Sequence, residues 1–78
     1  MRKLEDVVRE NFSLGPEIPV PDTAGPGEWP AWDSLGHVRL VSALESTYGV
    51  AIAVDEVIAL MSIADIRSLL QTKGVSAS

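Results

Sequence analysis

Cysteine is absent from the chain and histidine occurs once. Without thiols there is no disulfide framework and no thiolate zinc centre. A single imidazole also leaves too few ligands for a metal site built from side chains alone. Basic residues are scarce: six Lys and Arg stand against eleven Asp and Glu, for a formal charge of −5. A phosphate backbone is held by clustered cations, so nucleic acid is excluded as a partner, and proteins with basic docking surfaces are favoured. No apolar run approaches the roughly 20 residues of a membrane span. Met1-Arg2-Lys3 leads into a charged segment instead of a signal peptide's apolar stretch, so the expected location is the cytoplasm, with no membrane partner. Aromatic residues amount to two Trp, one Tyr and one Phe in 78 residues, of which 46% are apolar. That supports one small domain over residues 1–78, with a core of narrow stability margin and no room for an enclosed active site.

The acids are not spread evenly. Glu17, Asp22, Glu28 and Asp33 fall between residues 13 and 33 with no cation among them, and Asp55 and Glu56 form a second acidic segment. Residues 34–48 carry one charge of each sign, Arg39 and Glu45.

Apolar spacing divides the chain into helices. Leu4, Val7, Val8 and Phe12 recur at three- and four-residue intervals and form one stripe of a first helix over 4–12, with Arg2, Lys3, Glu5, Asp6, Arg9 and Glu10 as its solvated face. All five prolines and three glycines follow within 13–33, which reads as a long first loop, pinned by Ile18, Val20, Trp29 and Trp32. A second helix spans 34–48, with Leu40, Val41, Leu44 and Tyr48 on one face, His37 on the same side and Leu35 pointing the opposite way. Gly49 ends it. Val50 to Val54 is apolar but has no second strand to pair with. Asp55 and Glu56 start a short third helix containing Val57, Ile58 and Leu60. Ser62 with Asp65 opens a last helix that buries Ile63, Ile66, Leu69 and Leu70 and ends at Gly74. The tail 75–78 is expected to be disordered. The fold class is therefore all-α, a four-helix bundle with a long first loop and a short third helix.

The most informative stretch is Trp32-Asp33-Ser34-Leu35-Gly36-His37. Asp33 and Ser34 are helix-starting residues, and the first turn offers unpaired N–H groups and the positive end of the helix dipole to whatever Ser34 carries. The bland alternative is that Ser34 only caps the helix. His37 three residues on invites a Ser/His hydrolase reading, but no third residue to orient the base and no oxyanion hole accompany it. Trp29 and Trp32 read as clamps of the loop.

Asp33-Ser34-Leu35, Ala43-Leu44-Glu45 followed by Tyr48 and a Gly-Val turn, Val54-Asp55-Glu56 and the Ser62-Ile63 helix start together resemble the acyl carrier protein family over most of the chain. The resemblance implies an acyl-carrier-type bundle that is not an enzyme. Its covalent cofactor would be 4'-phosphopantetheine on Ser34, supplying the thiol that this chain lacks, and the cargo would travel as a thioester. By the same resemblance Asp33 is recognised during modification by a phosphopantetheinyl transferase. Leu35, Val38, Arg39, Asp55 and Glu56 would meet the acyl-loading and acyl-transferring synthase enzymes, and the carrier would act as a monomer. The groove between the second and third helices, with Val38, Val41, Val57 and Ile58, is expected to shelter an acyl chain. The near-neutral second helix departs from the acidic one of housekeeping fatty acid carriers, which points to a specialised polyketide, modified-sugar or short-acyl pathway. An aminoacyl or peptidyl carrier, and a small helical interaction domain with an unmodified Ser34, are the alternatives.

Overall fold

The computed structural model describes residues 2–76 and is all-helical, with no strand among those residues. Four helices follow in order: α1 (Leu4–Phe12), α2 (Ser34–Tyr48), α3 (Val54–Ala59) and α4 (Ile63–Thr72). Helix α1 buries the stripe Leu4, Val7, Val8 and Phe12, and Ser13 closes it in the left-handed region at φ 56°. Helix α2 buries Leu40, Val41 and Leu44 and stops at Gly49, whose φ of 66° suits a residue without a side chain. Helix α4 is set by a reciprocal cap, with Ser62 Oγ accepting from Asp65 N–H at 3.1 Å and Asp65 Oδ2 accepting from Met61 N–H at 3.0 Å. Its inward face is Ile63, Ile66 and Leu70, while Leu69, expected in the same stripe, is only partly buried against the core.

Residues 13–33 connect α1 to α2 and are fastened at several places. Arg9 Nε donates to the Ile18 carbonyl at 2.9 Å. Val20, Ala24 and Trp32 are buried in the core. Trp32 stacks on Phe12 at 5.2 Å between ring centroids and on Trp29 at 5.8 Å. The carbonyls of Ala24 and Asp22 accept from Ile63 and Ala64 N–H at 2.8 and 3.0 Å, which satisfies the first free donors of α4. Arg67 on α4 pairs with both Glu5 of α1 and Asp22 at 3.1 and 3.2 Å. Burial alone would raise the Glu5 pKa, but the hydrogen bond from backbone and the Arg67 guanidinium outweigh it and hold the carboxyl below its ordinary range.

Three further details differ from the sequence reading. Helix α3 begins at Val54, ahead of Asp55, because Glu56 Oε1 reaches back to the Ala53 N–H at 2.8 Å and fixes Ala53 as the cap. Leu60 lies just past its end and is buried, while none of the six residues of α3 is. Val75, expected to begin a disordered tail, is only 7% exposed. Gly74, at φ 82°, turns the chain so that Val75 N–H meets the Leu70 carbonyl at 2.9 Å and its side chain folds back onto the core. Residues 77 and 78 of that tail lie outside the described residues.

Candidate functional site

Asp33 is the cap of α2. Its Oδ1 accepts from Gly36 N–H at 2.8 Å, and its carbonyl accepts from His37 N–H at 2.8 Å. Ser34 is therefore the first helical residue, exposed, and its hydroxyl holds no hydrogen-bond partner among the described residues. The N–H groups of Ser34 and Leu35 likewise have no acceptor. At α4 the corresponding donors are taken by Ala24, Asp22 and Ser62. The start of α2 thus has open donors, at the positive end of a 15-residue helix, where an anionic group is stabilised.

His37 does not serve Ser34. Its Nδ1 accepts from the Trp32 indole N–H at 3.0 Å, and its Nε2 lies 3.0 Å from the Val57 carbonyl. An indole only donates and a carbonyl only accepts, so the ring is the neutral tautomer with hydrogen on Nε2. Both nitrogens are committed, which removes the base that a hydrolase would need.

Beside Ser34 the surface opens into a groove of about 510 Å³, walled by Trp32, His37, Val57, Ile58 and Met61. A second groove of about 350 Å³ lies between α2 and α3, lined by Val38, Val41, Val54, Val57 and Ile58. The four residues expected to shelter a chain are thus brought together, and Val54 joins them. Among the described residues the strongly exposed large hydrophobic side chains are Leu35, Val38, Val54, Ile58 and Met61; the last four line these grooves, and Leu35, 57% exposed, follows Ser34 at the head of α2.

The charged residues expected to meet partners have separate fates. Asp55 and Arg39 are exposed and their side chains have no partner among the described residues. Glu56 is engaged, accepting from Ala53 N–H and from Lys73 Nζ at 3.2 Å. Glu45 is also spent within the fold, its Oε2 accepting from Ile52 N–H at 2.9 Å. Sequence reasoning missed Met61 and the Trp32–His37–Val57 connection. A Trp and a His five residues apart across a helix start were visible, but their third member is a backbone carbonyl and has no sequence signature.

No family model matches the chain. It is 32% identical over 73 residues to an acyl carrier protein of Thermosynechococcus vestitus, covering 94% of this chain and 89% of that protein. With a likeness of this degree running through nearly the whole of both proteins, the chain belongs to the acyl carrier protein family.

Proposed function

We propose that this protein is a discrete carrier that holds an acyl group as a thioester on a phosphopantetheine arm attached to Ser34 and presents it to the enzymes of a specialised pathway. The observation that carries this reading is the division of labour at the head of α2. Asp33 does the capping, which leaves the Ser34 hydroxyl exposed and without a structural bond. The residues fit the group: an exposed hydroxyl, two open N–H donors for a phosphodiester and an apolar groove beside them. When bound, the arm supplies the thiol that a cysteine-free chain lacks.

The chain's own contribution is to bind and present. Asp33 keeps the first turn wound while Ser34 is approached, and the unpaired donors of Ser34 and Leu35 face the incoming negative charge. Leu35, Val38, Ile58 and Met61 give partner enzymes an apolar rim, and Asp55 adds a single negative charge at one edge of it. Because Glu45 is turned onto Ile52, the charge that α2 leaves for docking is the cation Arg39. That supports a specialised system over one whose partners dock through a strongly acidic second helix.

The test is modification. Incubated with coenzyme A and a broad-specificity phosphopantetheinyl transferase, the wild-type chain gains the mass of one phosphopantetheine and Ser34→Ala gains none. No gain, with a transferase that modifies a control carrier, would make the protein a helical interaction domain. A gain in Ser34→Ala would move the arm to another serine.

A further inference from the structure

We propose that His37 is a specificity-determining residue of this carrier, favouring acyl groups with a carbonyl close to the thioester and closing the inner groove to plain alkyl chains. The proposal rests on the carrier reading above. It starts from the fact that the bond from His37 Nε2–H to the Val57 carbonyl, at 3.0 Å, is what joins α2 to α3 by hydrogen bonding among the described residues. Val57 and Ile58 wall both grooves and His37 walls the one beside Ser34, so this bond ties His37 to the wall that the two grooves share.

The bond is held firmly on one side and weakly on the other. Trp32, which fixes the His37 tautomer, is only 1% exposed and stacked on Phe12. Helix α3 has six residues and buries none of them. Val57 O lies in its last turn, where carbonyls lack helical partners, and takes only a 3.3 Å contact from Leu60 N–H besides His37. Separation therefore moves α3 and leaves the imidazole in place.

An alkyl chain passing from the first groove to the second has to part this bond and offers nothing in return. It leaves two groups worse off, the half-buried Nε2–H without an acceptor and the Val57 carbonyl with only the 3.3 Å contact from Leu60 N–H, and the loss disfavours the open form by about tenfold. A chain with a carbonyl near the thioester accepts the released Nε2–H and recovers one of the two. The second groove, lined only by Val and Ile side chains, returns nothing polar at all.

The absence of cysteine allows a test that needs no transferase. Ser34→Cys creates a single thiol, to which a pantetheine-length arm is joined as a thioether, ending in either an octanoyl or a β-oxo-octanoyl amide. Nitrogen and amide chemical shifts are then read in the whole chain. The β-oxo arm should move the His37 ring nitrogen and Val57 amide signals and leave Val38 and Val41 unchanged. The octanoyl arm should move none of these with His37 present, but shift Val38 and Val41 in His37→Ala. His37→Gln, which keeps a donor and an acceptor, should restore exclusion. With no arm attached, His37→Ala should raise amide exchange in α3 by roughly two- to tenfold, a readout that also reports whether the variant is folded. Octanoyl shifts at Val38 and Val41 with His37 intact, or identical responses to both arms, would overturn the proposal. Because the arm is attached chemically, failure of enzymatic modification would count against the carrier reading and leave this result standing.

Discussion

At Gly36 a side chain has nowhere to go. A methyl group there would run into the Ala31 carbonyl and against the Phe12 ring, because the end of the connecting segment crosses directly over the first turn of α2. Two residues earlier, the Ser34 hydroxyl touches nothing that depends on it. Neighbouring positions should therefore respond in opposite ways. We expect Gly36→Ala to cost about 1–3 kcal/mol through forced displacement, and Ser34→Ala to stay within about 0.5 kcal/mol of wild type. Leu44→Ala, at a fully buried position of α2, should cost about 2–5 kcal/mol. Thermal unfolding of the three variants checks the order. A Ser34→Ala variant as unstable as Leu44→Ala would mean that the serine is structural.

Among the elements, α3 is the one held by polar groups instead of a buried face. Glu56 serves it twice, and its carboxyl sits below its ordinary value of 4.5, first because it accepts from Ala53 N–H and then because of Lys73. A depressed folded-state pKa means that the ionised form stabilises the fold. That contribution is present above the ordinary glutamate range and is lost as pH falls from there through the lower folded value. Amide exchange in α3, corrected for intrinsic rates, should rise in acid for the wild type, whereas Glu56→Gln should be more open at neutral pH and lose that acid limb.

The same element shows where sequence reading stops. The bounds of α1 and α2 were legible in the spacing of Leu4, Val7, Val8 and Phe12 and in Asp33 and Gly49, since each signal is local. The exposed place of Ser34 at the head of α2 was legible for the same reason. The start of α3 was displaced because it depends on which acid reaches back to Ala53. His37–Val57, Lys73–Glu56 and the burial of Val75 were not legible, because each is decided by which segments meet in space.

At the scale of the molecule, the strongly exposed apolar side chains among the described residues gather around Ser34 and the α2–α3 groove, with Asp55 and Arg39 as the uncommitted charges of α2 and α3. If partner enzymes dock there, Leu35→Ala and Asp55→Lys should each slow transfer from the cognate loading enzyme without unfolding the carrier. The Asp55→Lys defect should shrink as salt is raised, because charge steering is screened over about 8–10 Å at ordinary ionic strength, while the Leu35→Ala defect should persist. Loading kinetics at low and high salt decide it. Wild-type rates for Asp55→Lys at low salt, with strong impairment by Arg39→Glu, would place recognition on α2.

The two backbone bonds from Ile63 and Ala64 to Ala24 and Asp22 close a loop between segments far apart in the chain. Closure of that kind pays its entropy before its contacts form, so it belongs late in folding, after the helices have wound. Trp32 lies on the segment that this seam fastens, and it is Trp32 that aligns His37 beside the serine. On this ground we expect the surface around Ser34 to be among the last parts of the protein to be assembled. A modifying enzyme that reads this surface would meet it only on finished molecules, so loading of the carrier would double as an inspection of its fold.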